Sequence, residues 1–142
     1  MTDPSVGPIY VDTSALAKAV RVEPESAALR SDLASRVGVK LVSSELLLLE
    51  MRRLGRRENQ LESCEAAARQ IALLPLDAEI LESAGGEAPM PLSALDAIHF
   101  ATLLRIANHR PVAGVLTYDH ELRAAAEAAG FVTMAPGYDP AR

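Results

Sequence analysis

The sequence predicts an α/β fold, a central parallel sheet flanked by helices on both faces. Three observations predict it. Short runs of β-branched and aliphatic residues at 9–12, 39–42 and 113–117, with a last one in FVTMAP, alternate with longer helix-forming stretches. Two of these runs stop on an aspartate, Asp12 and Asp119, and pass straight into a helix. One stretch, ALDAIHFATLLRIAN, is apolar nearly all round and therefore belongs in the interior.

Taken in order, Ile9, Tyr10 and Val11 make a strand that ends on Asp12, and a helix follows over 14–20. EPES at 23–26 breaks the pattern, Pro24 suits a first helical turn, and a second helix covers 25–36 before Gly38. VKLV at 39–42 is the second strand. SSELLLLEMRRLGRR is a helix with Ser43 or Ser44 as N-cap and Glu45 in the first turn, where the helix dipole favours a carboxylate. A further helix spans 58–73, carrying Ala66, Ala67, Ala68 and Ile71. LPLDAEILESAGG reads as an extended piece, a short helix capped by Asp77 and a glycine stop; EAPMPLS is a loop. After the interior helix come a strand at 113–117, the helix HELRAAAEAAG closed by Gly130, and the last strand. There is no internal repeat. The expected organisation is one domain over 9–136, with a flexible segment at 1–8 and a tail at 137–142.

Composition narrows the function classes. At 142 residues the chain is about one ordinary domain, and a hydrophobic share of 49% suffices for a core without disulfide or metal staples. Aromatic residues make up 4%, with no Trp, which argues against a reader that stacks bases on aromatic platforms. A single cysteine, Cys64, excludes an internal disulfide and a cysteine zinc cage, and fits a small apolar residue in a reducing compartment. MTDPSVGP lacks the basic and apolar regions of a signal peptide, and LLLL at 46–49 is too short to span a bilayer. The expectation is a cytoplasmic protein with no membrane partner. A net charge of −5 does not advertise nucleic-acid binding unless the acids gather in one pocket with bases at its rim.

Four acids are candidates for chemistry, and each has a plain structural account. Asp12 ends a strand, where ligands bind in open α/β sheets, yet aspartate is also a good N-cap. Asp119 repeats that arrangement. Asp96 follows Ser93 in a Ser-x-x-Asp capping pattern, but it opens a helix so apolar that the carboxylate lies near the core and needs a partner. Glu50 lies about two turns inside its helix on the apolar stripe of Leu46 and Leu54; the plain account is an ion pair with Arg53 or Arg57. Together the four converge on one edge of a parallel sheet. Neighbouring carboxylates repel, and a hard divalent cation, Mg²⁺ or Mn²⁺, relieves this best, because it prefers oxygen ligands and keeps several waters.

IYVDTSALAK, SSELLLLEMRR, LSALDAIHFATLL and VLTYDHELRAAAEAAGF resemble the four motifs of PIN-domain nucleases, and specifically of VapC-type toxins. The resemblance runs from Ile9 to about Pro136. It implies a PIN-like three-layer fold and an acidic quartet at Asp12, Glu50, Asp96 and Asp119. Asp12 and Asp96 would be the main direct metal ligands, Glu50 and Asp119 would complete the site, and the hydroxyls of Ser14 and Thr117 would stand beside it. It further implies an Mg²⁺- or Mn²⁺-dependent endoribonuclease that hydrolyses RNA, often tRNA or rRNA, with a metal-activated water, leaving 5′-phosphate and 3′-hydroxyl ends. A VapB-like antitoxin and a homodimer are the partners it implies. A housekeeping RNA-processing nuclease and an inert PIN-like binding protein are the alternatives. Glu121 is the one close candidate for the further acid that many relatives carry after the Asp119 position.

Arg52, Arg53, Arg56 and Arg57 follow Glu50 as a basic row for RNA phosphates, with a solvated face or an antitoxin contact as equal accounts; Lys18 and Arg21 would add to the rim. His99, one turn after Asp96, is expected to pack in the core or bond around the acids, and His109 and His120 to face solvent. The leucine run at 46–49 exceeds one buried face and suits a dimer or antitoxin surface beside plain core packing. A haloacid-dehalogenase-like phosphatase needs an acid where Ser14 stands. A receiver domain needs a late lysine, and Lys40 is the last.

Overall fold

A computed structural model describes residues 7–141. Five strands and seven helices are found among the described residues: β1 (Ile9–Val11), α1 (Thr13–Val20), α2 (Ser26–Ser35), β2 (Leu41–Ser44), α3 (Leu46–Glu58), α4 (Leu61–Ala68), β3 (Ala72–Leu74), α5 (Ala78–Ala84), α6 (Ala94–His109), β4 (Gly114–Leu116), α7 (His120–Ala128) and β5 (Thr133–Met134). The sheet is parallel throughout, in the order β3-β2-β1-β4-β5. β1 is thus central, and the chain reverses its direction of winding between β1 and β4, which opens a crevice at their carboxyl ends.

Side chains alternate along β1 and divide the interior into two cores. Ile9 and Val11 face α1 to α4, packing with Leu16, Leu29, Leu47 and Met51. Tyr10 faces the opposite layer, with Phe100, Leu103, Val115 and Leu122. Full burial of one such leucine contributes roughly 1.5–3 kcal/mol, so the three layers are held mainly by aliphatic packing. The α/β class and the flanked parallel sheet match the expectation.

Two expected elements are corrected. The single helix at 58–73 does not exist: α3 runs on through Glu58 and stops at Asn59, which is left-handed at φ 56° and ψ 42°. A short α4 follows, and Ala72–Leu74 is extended as the edge strand β3. Alanine-rich sequence favours helix locally, but pairing of Ala72 and Leu74 with Val42 and Ser44 overrides it. Gly55 makes the α3–α4 turn possible, since a Cβ there would lie 2.6 Å from Leu61 Cα. The second strand also sits two residues later than expected, at Leu41–Ser44, so Ser43 and Ser44 are buried strand residues. Ser43 Oγ donates to Val11 O at 2.6 Å, and Ser44 Oγ accepts from Leu46 N at 3.0 Å. The N-cap of α3 is Glu45, so neither serine holds that position, although Ser44 bonds the first helical N–H from the end of the strand.

Of the expected N-terminal segment at 1–8, all but Gly7 and Pro8 lies outside the described residues; Pro8 O accepts from Ala113 N at 2.8 Å. Among the described residues no helix is long and apolar enough to cross a membrane. Cys64 is a buried free thiol on α4.

Candidate active site

The site is built where β1 and β4 end. Asp12 N donates to Leu116 O at 3.0 Å, carrying the ladder one residue past β1, and Asp12 O accepts from Ala15 N and Leu16 N to begin α1. Its carboxylate makes no cap, so the capping account fails for this residue. Instead Oδ2 accepts from Ser14 Oγ at 2.6 Å and Thr117 Oγ1 at 2.8 Å. Those hydroxyls are themselves aimed: Ser14 Oγ accepts from Tyr118 N at 2.9 Å and Thr117 Oγ1 from Asp119 N at 3.0 Å. With backbone N–H groups donating to them, their own protons turn toward Asp12. The result is a carboxylate 4% exposed yet fully directed by its neighbours.

Asp119 keeps its capping role, Oδ1 accepting from Leu122 N at 3.0 Å. Asp96 lies in the first turn of α6, where its N–H donates to Ser93 Oγ at 3.4 Å. Burial, then the negative charges of Asp119 and Asp12, push the Asp96 carboxyl up to about 6. Glu50 Oε1 accepts from Thr13 Oγ1 at 2.6 Å and from His99 Nε2 at 2.9 Å. Burial alone would push Glu50 up, but these two bonds and the His99 charge outweigh it and hold Glu50 below the usual range. For His99, burial favours the neutral ring, and the Glu50 bond with the charges of Asp12, Glu50 and Asp96 outweighs it, raising its pKa.

The four acids line one open cleft of about 390 Å³, together with Thr13, Ser14, Leu95, Arg21, Arg53 and Arg57. Glu45 is elsewhere, exposed at the start of α3, and Glu121 is exposed on α7. The expected row of four arginines is split. Arg53 and Arg57 share the helix face of Glu50 and reach the cleft, whereas Arg52 is turned about 100° away, 3.8 Å from Glu65 and against a separate apolar pocket with Leu48 and Leu49. Arg56 is exposed and does not line the cleft. Arg21 joins the rim but is tied to Glu58 through both Nε and Nη2. Lys18 does not join it, being held by Glu23 and Glu25 over the Tyr118 ring. His109 and His120 are exposed, as expected. Thr13 went unnoticed in the sequence; its only signal is its place directly after Asp12, at the first position of α1.

The donor set suits a hard cation. The cleft offers carboxylate and hydroxyl oxygens, both nitrogens of the adjacent His99 ring are already engaged, and Cys64 is buried and does not line it. Among the described residues no three carboxylate, imidazole or thiol groups stand close enough to cage an ion alone. Hard divalent cations keep waters and are typically held by one or two carboxylates with substrate phosphate. A family model described as the PIN domain matches residues 9–128, from the first residue of β1 to the last of α7.

The chain belongs to the PIN-domain family. Ribonuclease VapC46 of Mycobacterium tuberculosis is 38% identical over 130 residues, covering 90% of this chain and 97% of its own. Ribonuclease VapC35 of the same species is 34% identical over 131 residues, covering 91% and 97%. Among solved structures, Mycobacterium tuberculosis VapC20, described as a Sarcin-Ricin loop cleaving toxin, superposes with a TM-score of 0.69 at 22% identity, over 90% of this chain and 99% of that one. A chain from a toxin-antitoxin complex of Klebsiella pneumoniae gives 0.64 at 15% identity, over 92% and 98%. These two share the PIN-domain fold, and all four acids of the cleft lie within the matched PIN segment.

Proposed function

We propose that this PIN-domain protein is the endoribonuclease toxin of a toxin-antitoxin pair and that it cleaves RNA with Mg²⁺ or Mn²⁺. One observation carries the reading: four acids from separate elements, Asp12, Glu50, Asp96 and Asp119, line a single cleft. Relatives named ribonucleases, at 34% and 38% identity over almost their whole length, support it. Asp12 and Asp96 would hold the cation, with Asp119 and Glu50 completing its surroundings. When bound, the cation would supply charge neutralisation at the phosphate and acidify a water.

The rest follows from the chain's own groups. Ser14 and Thr117 fix the Asp12 carboxylate, so its unshared oxygen is presented in one orientation. Arg53 and Arg57 hold the RNA backbone on the rim by charge-assisted bonds to phosphate. Water, rather than the RNA 2′-hydroxyl, attacks in line, leaving 5′-phosphate and 3′-hydroxyl ends. The substrate class is tRNA or rRNA, the setting the cytoplasm, and the assembly a homodimer whose cleft a VapB-like antitoxin covers.

Purified protein incubated with defined RNAs in Mg²⁺, Mn²⁺ or EDTA tests this. Cleavage should need the ion and be lost in Asp12→Asn and Asp96→Asn. Metal-independent cutting, or 2′,3′-cyclic phosphate ends, would overturn the mechanism.

A further inference from the structure

One heavily hydrogen-bonded polar side chain beside the cleft does not line it. His99 is 1% exposed on α6, and its ring reaches both the central strand and a helix of the opposite layer. Nδ1 lies 2.7 Å from Tyr10 Oη on β1, with the two rings edge to face at 5.9 Å. Nε2 lies 2.9 Å from Glu50 Oε1 on α3, 3.2 Å from Thr13 Oγ1 and 3.6 Å from Asp12 Oδ1. Tyr10 is fully buried and holds the Nδ1 edge of the ring, and an ionised carboxylate oxygen can only accept, so the Nε2 edge facing Glu50 Oε1 carries a proton. That N–H meets Glu50.

We propose that His99 is the positioning residue for Glu50. It acts with Thr13 to pin Oε1, so that Oε2 is the oxygen offered to a ligand in the cleft. The inference rests on the ribonuclease reading above and deepens it. An imidazole suits the task because its two nitrogens are held rigidly apart; Tyr10, rooted in the central strand, fixes one and the other then has a single direction. Glu50 sits mid-helix on a flexible side chain, and without Nε2 only the Thr13 hydroxyl would restrain it. Partners that orient a metal ligand in this way are typically worth about 10–100-fold in affinity or activity.

The test compares His99→Leu, which keeps bulk without polarity, with His99→Gln, whose amide can still donate to Glu50, and with Tyr10→Phe. Thermal melts establish folding, and ITC with Mn²⁺ is run beside RNA cleavage kinetics. His99→Leu should lose about 10–100-fold in kcat and about 10-fold in Mn²⁺ affinity with KM for RNA little changed, His99→Gln should recover most of both, and Tyr10→Phe should lose a few-fold. A folded His99→Leu with wild-type Mn²⁺ affinity and kcat would overturn the proposal, as would a folded His99→Gln as impaired as His99→Leu. ¹⁵N NMR of the imidazole gives a readout independent of metal and RNA: a ring protonated at Nδ1 alone, with Nε2 bare, would also overturn it. A wild-type protein that neither binds Mn²⁺ nor cuts RNA would instead remove the function on which the inference stands, whatever the tautomer.

Discussion

Helix α6 has a hollow at each end, and the two are opposites. Its N-terminal end opens on the acidic cleft; its C-terminal end closes a larger cavity of about 450 Å³ with Pro8, Val42, Leu73, Pro75 and Ile106. Each contains an aspartate. Asp77, at the larger cavity, caps α5 by accepting from Ile80 N and pairs with Arg105 at 3.0 Å, and these bonds lower its pKa. Asp96, at the smaller one, is raised instead by burial and by Asp119 and Asp12. The roomier hollow has its aspartate settled by an arginine and a helix cap, and the smaller one keeps a conflict that a cation would resolve. Unsettled charge, more than volume, marks the place where chemistry is expected.

Substitutions can break this contrast. Asp12→Asn should reduce RNA cleavage by at least about 10²–10³-fold, the scale of removing a group that stabilises the transition state. Asp77→Asn should leave cleavage within about twofold, and equal losses in a gel assay would erase the distinction. A second test is ligand linkage: Mn²⁺ at a hundred times its Kd should stabilise the folded protein by about 2.7 kcal/mol in urea titrations. The same addition should do far less for Asp96→Asn.

Smaller effects sharpen the comparison. Asp77→Ala should lower the urea midpoint through loss of the α5 cap. Asp96→Asn should do the reverse in EDTA. The folded state raises the Asp96 pKa from 3.8 to about 6, so it holds that proton more tightly than the unfolded chain. The ionised carboxylate therefore destabilises folding fully above pH about 6, progressively less toward 3.8, and not below. The variant should gain about 1 kcal/mol at pH 7.5, after allowing for solvent screening of a half-exposed group, and nothing near pH 3.5. Last, Arg53→Ala should lower the salt dependence of RNA binding by about one ion, with Arg52→Ala leaving the slope unchanged.

The acids were legible because strand-end aspartates and a mid-helix glutamate on an apolar stripe are unusual in one dimension. Glu50 over Glu45 follows from the same stripe, and Glu45 is indeed exposed outside the cleft. The arginine row was legible as a cluster, but its division depended on which face α3 turns to the cleft. The false helix at 58–73 shows the limit of local propensity: the alanines of α4 are helical, whereas Ala72 and Leu74 answer to a neighbouring strand.

By itself the sequence determined the alternation of strands and helices, the apolar faces and the placement of carboxylates at their ends, all of which depend on residues a few positions apart. Only the tertiary structure decided the order of the strands, the freedom of Asp12 from its capping role, and the chain of bonds from Tyr10 through His99, joined by Thr13, to one Glu50 oxygen. Those bonds join residues 37 to 89 positions apart, so their geometry exists only once both cores have packed against the sheet.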